Sequence, residues 1–159
     1  MRRVENNNIL RRLRYTFDLN DTAVMALFST EAEQVTREQV CAWLKNDEDP
    51  DFVKLDDASM ARFLDAFIVL RRGPRDGPPR PTELRLTNNI VLRKLKIALN
   101  LHEADMLRLM EVGGLPISKP ELSALFRRAG HKHQRHCQDQ FLRKFLVGVQ
   151  REMGPDVKD

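Results

Sequence analysis

The apolar residues of this chain recur at intervals of three and four, which is the spacing of one face of an α-helix. In the stretch NNNILRRLRYTFDL, for example, Leu10, Leu13 and Phe17 fall on one arc, and polar and basic residues occupy the opposite one. No stretch shows the alternation of apolar and polar residues that is typical of a half-buried strand. The pattern therefore predicts an all-α protein with eight helices.

Residues with strong capping preferences mark the ends of these helices. Asn20 or Asp21 begins one segment. Thr36 begins another with Glu38 or Gln39 early in it, close to a capping box, and Ser118 begins a third with Pro120 in its first turn. The segment 56–73 starts with two aspartates and stops at Arg-Arg-Gly. This is the order of charges that the helix dipole favours.

The helical pattern occurs twice. When the sequence is shifted by 82 positions, residues 6–46 align with residues 88–128 without a gap, and 8 of 41 positions are identical. After a variable stretch the alignment resumes four residues shorter and places RFLDAFIVL on QFLRKFLVG, so that Phe67 corresponds to Phe145. The sequence therefore predicts a duplicated module of about 70 residues.

A stretch rich in glycine and proline separates the two copies. In GPRDGPPRP, residues 73–81, six of nine residues are Gly or Pro, so no helix can continue through it. We predict a first four-helix module at 1–72, a linker at 73–86 and a second module at 87–154. Each module alone is close to the size at which a core becomes marginal, so we expect the two to pack in one pseudo-symmetric body.

Three segments of the second module resemble those of a known family. NNIVLRKLKIAL, SKPELSALFRR and CQDQFLRKFLVGV look like the YehS-like family of small bacterial proteins. The resemblance covers the chain apart from its tails. It implies an all-helical cytoplasmic protein built from two copies of a helical domain of unknown function, and it implies no activity, ligand or catalytic residue.

A polar stripe follows the first helix of each module, nearly opposite the apolar arc. It consists of Asn7, Arg11 and Arg14 in the first copy and of Asn89, Arg93 and Lys96 in the second. On one interpretation the paired asparagines are helix N-caps and the bases form a solvated face. On the other, a bound phosphate offsets the conflict between basic side chains and the dipole at a helix N-terminus, or the stripe contacts bases.

The loops before the last helix of each module carry opposite charge. Residues 45–57 hold six acids and two lysines, a balance of −4, whereas residues 127–144 hold six Lys or Arg and one Asp, a balance of +5. Two solvated loops that diverged would give this difference. A second explanation of the charge difference is a polyanion site on the basic loop, formed by Arg127, Arg128, Lys132 and Arg135. A third is that the acidic loop packs on the basic one, either within a chain or head-to-tail between chains.

The basic loop also contains HKHQRHC, in which the candidate metal ligands are His131, His133, His136 and Cys137. A structural zinc site usually draws pairs of ligands from separated segments, and this sequence has no second pair. Lys132 and Arg135 would also repel a cation. We therefore predict no metal site and no cofactor.

The sequence contains no catalytic motif. It has no Gly-rich phosphate loop, no GxSxG, no HExxH and no paired carboxylates on a predicted helix face, and Cys41 lies in an apolar run where a core thiol is expected. No segment approaches the roughly 20 apolar residues of a membrane span, and the N-terminus lacks the apolar part of a secretion signal. These features predict a cytoplasmic protein that is not an enzyme and does not contact membranes.

Binding is then the expected function. The net charge of +4 and the pI of about 9.3 are weak evidence for a polyanion partner on their own. The first hypothesis is nucleic-acid binding through the basic helix faces and the 127–144 loop, with phosphate contacts dominating. The second is a protein-interaction adaptor or self-associating scaffold whose partner is an acidic protein or another copy of the chain. One Tyr, one Trp and Phe residues at core spacing argue against a stacking surface for single strands.

Overall fold

A computed structural model describes residues 3–78 and 80–155. Within these residues all the regular secondary structure is helical, in eight α-helices: α1 (Asn6–Thr16), α2 (Asp21–Phe28), α3 (Arg37–Leu44), α4 (Asp57–Arg72), α5 (Asn88–Ala98), α6 (Glu103–Val112), α7 (Lys119–Leu125) and α8 (Asp139–Met153). The predicted all-α class with two four-helix modules is confirmed.

The helices group into two compact units. The first contains α1–α4 within residues 5–78 and 80–86, and the second contains α5–α8 within residues 87–155 together with Arg3 and Val4. The segment 73–86, predicted as a linker, thus groups with the first unit as far as it is described. The packing of the two modules into one body stays a prediction.

The predicted caps form as the sequence indicates. The Asn20 side chain accepts a hydrogen bond from the Ala23 N–H at 2.8 Å. Thr36 and Ser118 each form a complete capping box, with Gln39 and Glu121 respectively. The hydrogen bonds that Glu121 accepts from the backbone and side chain of Ser118 hold the pKa of this carboxyl below its ordinary value. These local signals fix where three of the helices begin.

The same core positions are filled differently in the two modules. In the first, the Phe28 ring lies 4.6 Å from that of Trp43 and 4.8 Å from that of Phe63, between centroids, and so forms an aromatic cluster. In the second, Met110 and Leu125 occupy the positions equivalent to Phe28 and Trp43, and both are buried. Four residues at apolar helical positions are fully buried, each at most 1% exposed: Leu13, Leu95, Phe67 and Phe145.

The predicted pairing of the last helices is wrong by about one turn. α4 begins at Asp57 and α8 at Asp139, so the shift of 82 residues continues unchanged, and Phe145 corresponds to Phe63 and not to Phe67. The sequence FLRKFL contains Phe-Leu twice, four residues apart. Because four residues are close to one helical turn, both alignments put the same face of α8 toward the core, and the pattern alone selected the wrong one.

Two glycines allow α6 and α8 to approach closely in the second unit. A Cβ at Gly148, within α8, would lie 2.1 Å from the carbonyl oxygen of Leu109, and one at Gly113, where α6 ends, would lie 2.0 Å from that of Lys144. The position equivalent to Gly148 in α4 is Ala66. The close crossing is therefore a property of the second module.

No helix among the described residues has the length and apolar character required to cross a membrane.

Candidate nucleic-acid interface

The asparagine pair at the start of α1 holds the loop between α3 and α4. Asn7 is 1% exposed, and its amide nitrogen donates to the carbonyl oxygens of Trp43 at 2.9 Å and Val53 at 3.0 Å. Its amide oxygen accepts from the Leu55 N–H at 3.0 Å. Asn6, also buried, donates to the Leu55 carbonyl and to the Asp57 carboxylate. Buried polar groups need such partners, so the pair fixes the loop on the first turn of α1.

The second module repeats this arrangement at every position. Asn89 donates to the carbonyl oxygens of Leu125 and Arg135 at 3.0 and 2.8 Å, and accepts from the Cys137 N–H at 2.8 Å. Asn88 donates to the Cys137 carbonyl and the Asp139 carboxylate. The repeat of the sequence is therefore a repeat of one buried hydrogen-bond network.

Both interpretations of these asparagines from sequence are wrong. The N-cap positions are Glu5 and Thr87, and the asparagines lie inside the first turn. Asn7 and Asn89 are also excluded as polyanion contacts, because their side-chain amides are buried and hydrogen-bonded to backbone groups of the same chain. The predicted site loses these two residues.

Arg11 closes the C-terminal end of α3. Its guanidinium donates to the carbonyl oxygens of Leu44 and Lys45, binds the side chain of Asn8 and pairs with Asp47 at 3.2 Å. Arg14, the other base of the first stripe, has its Nε buried with no hydrogen-bond partner among the described residues. Arg11, the stripe base that both modules share, is therefore bound to its own module, and Asp47 partly neutralises its charge.

The equivalent bases of the second module line an open groove. Arg93, Lys96 and Arg127 border it together with one acid, Glu103, and its apolar lining includes Ile97, Leu122 and Phe126. We call it the α5–α7 groove, and its volume is about 590 Å³. Arg93 donates one hydrogen bond, from Nη2 to the carbonyl oxygen of Phe126 at 2.8 Å. Arg11 donates from two nitrogens to carbonyl oxygens at the end of α3. A guanidinium carries five N–H donors, so this bond leaves most of them for other acceptors.

The loop between α7 and α8 carries further positive charge. Four exposed bases stand in residues 127–136 without an acid: Arg127, Arg128, Lys132 and Arg135. At the equivalent positions, 45–54, the first module has two lysines against Asp47, Glu48, Asp49 and Asp51. The structure thus brings Arg93, Lys96 and Arg127 together, and Arg128, Lys132 and Arg135 follow on the same loop.

The histidines of this loop do not converge with Cys137. The rings of His131 and His133 are 5.7 Å apart, and His131 Nδ1 accepts a hydrogen bond from the His133 N–H. The described part of the chain holds no group of three or more His, Cys, Asp or Glu side chains placed to bind a metal ion. Cys137 is fully buried, and burial, with a smaller contribution from Asp139, raises the pKa of its thiol to about 12.

The two cysteines should therefore differ in reactivity. In the native protein near neutral pH we expect a thiol reagent to modify Cys41, which is partly exposed, well before Cys137, whose thiol is protonated and shielded from solvent. Mass spectrometry of peptides from protein labelled for increasing times measures the order. Equal rates at the two positions in folded protein would contradict the burial of Cys137.

Comparison with known proteins places this architecture in a family. The family described as "Protein of unknown function (DUF1456)" matches residues 6–73 and 88–153, which are the helical parts of the two modules. The chain belongs to the DUF1456 family. The Uncharacterized protein YehS of Escherichia coli (strain K12) is 35% identical to it over 145 residues, covering 91% of this chain and 93% of YehS. The resemblance inferred from sequence is confirmed, and no solved structure matches the chain.

In this DUF1456 protein, sequence reasoning missed the apolar part of the groove. Phe126 follows α7 at helical spacing and was expected in the core with the other Phe residues, yet it is only partly buried and faces the groove. Ile97 is 46% exposed, and its equivalent Tyr15 is 41% exposed. A large apolar residue at the same outward position in both copies was the signal that could have found it.

Proposed function

We propose that this protein binds nucleic acid through its second module. The observation that carries the proposal is the convergence of Arg93, Lys96 and Arg127 on the α5–α7 groove, against the single acid Glu103. Three further exposed bases lie on the loop that contains Arg127: Arg128, Lys132 and Arg135. Clustered Lys and Arg side chains neutralise phosphates and release counterions, which is the main source of affinity for nucleic acids.

The comparison of the two modules supports a site in one of them. Arg11 bonds to the end of α3 and to Asp47, and its loop carries more acids than bases. Arg93 stands at the equivalent position without an equivalent of Asp47, because residue 129 is Ala. The first module therefore has the same framework but not the same charge, and we assign it a structural role.

The proposal is one of binding without catalysis. The buried thiol of Cys137 is protonated near neutral pH, so it is no nucleophile, and the groove combines bases with apolar side chains and one carboxylate. A cytoplasmic location, where nucleic acids are accessible, belongs to the proposal.

A protein partner is the second candidate. The observation that favours it is the opposite charge of the equivalent loops 45–54 and 127–136. A second copy of the chain, docking its acidic loop on the basic loop head-to-tail, would satisfy both charges. This candidate predicts that replacing Asp47, Glu48 and Asp49 with Asn, Gln and Asn breaks an association between copies, whereas nucleic-acid binding is unchanged or slightly stronger.

Charge reversal at the basic loop tests the proposed function. We expect the quadruple variant Arg127→Glu, Arg128→Glu, Lys132→Glu and Arg135→Glu to lose binding to a fluorescent oligonucleotide, measured by anisotropy at low salt. For the unmodified protein, four phosphate contacts give a log–log salt slope of about −3, so raising salt fourfold weakens binding on the order of 50- to 150-fold.

The control changes the net charge by the same amount elsewhere. Four exposed arginines of the first unit serve for this, all replaced with Glu: Arg72, Arg75, Arg80 and Arg85. If binding depends on the basic loop, this control variant keeps most of its affinity. An equal loss of affinity in both variants would show that binding depends only on the net charge of the protein and not on the basic loop. Absence of binding by the unmodified protein at low salt would overturn the proposal.

A further inference from the structure

We propose that the α5–α7 groove receives one nucleotide of a single strand, with its base against Phe126 and Ile97 and its phosphate on the surrounding cations. This inference rests on the proposed function and names the form of nucleic acid that the site takes. It also gives the two parts of the surface different roles: the groove would take a base, and the basic loop, which begins at the groove with Arg127, would contact the backbone.

The groove combines an apolar surface with cations in a way that phosphate binding alone does not require. Phe126 and Leu122 line it, and Ile97, at 46% exposure, borders it. Lys96 Nζ lies over the Phe126 ring, 5.7 Å from its centroid, so an ammonium group stands above one face of the aromatic side chain. A nucleotide presents the same pair of features, a flat π face and an anion a short distance away.

A single strand fits this chemistry better than a duplex. In a duplex both faces of each base are covered by its neighbours, so protein side chains reach only base edges and the backbone. An unpaired base can turn its face toward an aromatic side chain, and such stacking tolerates any sequence because every base has a π face. The volume of about 590 Å³ lies in the range of sites that take small ligands, about 300–1,000 Å³.

The first module lacks the same combination. Leu44 stands at the position of Phe126, and Arg11 is paired with Asp47. Asp21, which corresponds to Glu103, forms an ion pair with Arg37 at 3.2 Å. The inference therefore gives one nucleotide site per chain.

An oligonucleotide that keeps its phosphates and lacks its bases tests the inference directly. We expect the full chain to bind oligo(dT) more tightly than an abasic strand of the same length, by roughly 5- to 150-fold, the range seen when one stacked base loses its aromatic partner. Phe126→Leu, which introduces the residue of the first module, should weaken oligo(dT) binding by the same factor and leave the abasic strand unaffected. A competing duplex of equal charge should displace oligo(dT) poorly.

Two further variants keep the test decisive. Ile97→Ser changes an exposed side chain, so the variant should remain folded and show a reduced preference for bases even if Phe126→Leu is unstable. Glu103→Gln removes the one acid at the groove and should strengthen binding of both strands. Equal affinity for oligo(dT) and the abasic strand would overturn the nucleotide site and leave polyanion binding intact, whereas failure to bind either strand would overturn the proposed function as well.

Discussion

Replacement of Asn7 by Asp should lower the free energy of unfolding by about 3–5 kcal/mol, although the two side chains have almost the same shape. The amide nitrogen of Asn7 donates to the carbonyl oxygens of Trp43 and Val53. A carboxylate there donates nothing, and it would face two carbonyl oxygens in a site that is 1% exposed. Denaturant unfolding followed by circular dichroism measures the loss, which should shrink at acid pH as the introduced carboxyl becomes protonated.

The neighbouring residue provides the matched control. Asn8 is exposed in the same turn of α1, and its side-chain oxygen accepts a hydrogen bond from Arg11, which a carboxylate can also accept. Asn8→Asp places a negative charge near a helix N-terminus, where the dipole favours it, so it should be neutral or stabilising by a few tenths of a kcal/mol. If Asn7→Asp were as harmless as Asn8→Asp, the buried network would not hold the loop.

Replacement of Gly148 by Ala should destabilise the protein by roughly 3 kcal/mol, against the usual helix preference for Ala of about 1 kcal/mol. The new Cβ would stand 2.1 Å from the Leu109 carbonyl oxygen, so α6 and α8 would have to separate. Denaturant unfolding of the full chain measures the change.

The equivalent position in the first module is the control. Ala66 already carries a Cβ, so Ala66→Gly should lower the free energy of unfolding only through the greater backbone freedom of glycine, by about 1 kcal/mol. A stabilising effect of Gly148→Ala would show that the two helices do not cross as closely as the structure has them.

The sequence predicted most of the fold because its local signals agree with the tertiary structure. The capping boxes at Thr36 and Ser118 set helix starts that packing did not override. The register of α8 failed because its Phe-Leu pair recurs after four residues, and helical periodicity cannot distinguish two alignments one turn apart. The structure decides between the two alignments, because the hydrogen-bond networks of the two modules are also related by a shift of 82 residues.

The candidate site was predicted in part. Opposite charges on equivalent loops are visible in the sequence, and they located the basic surface. Asn7 and Asn89 were misassigned because their partners lie 36–48 residues away along the chain and are backbone groups, which have no sequence signature. The difference between Arg11 and Arg93 likewise depends on Asp47, which comes within 3.2 Å only in the folded loop.

Nuclear magnetic resonance titration of the ¹⁵N-labelled full chain with oligo(dT) tests the central claim most directly. The duplication supplies an internal control for nearly every residue, because each position of the second module has an equivalent 82 positions earlier. The proposed site predicts saturable shifts at Ile97, Phe126 and Arg127, with little change at Tyr15, Leu44 and Lys45. Comparable shifts in both modules, or shifts confined to the acidic loop, would contradict it.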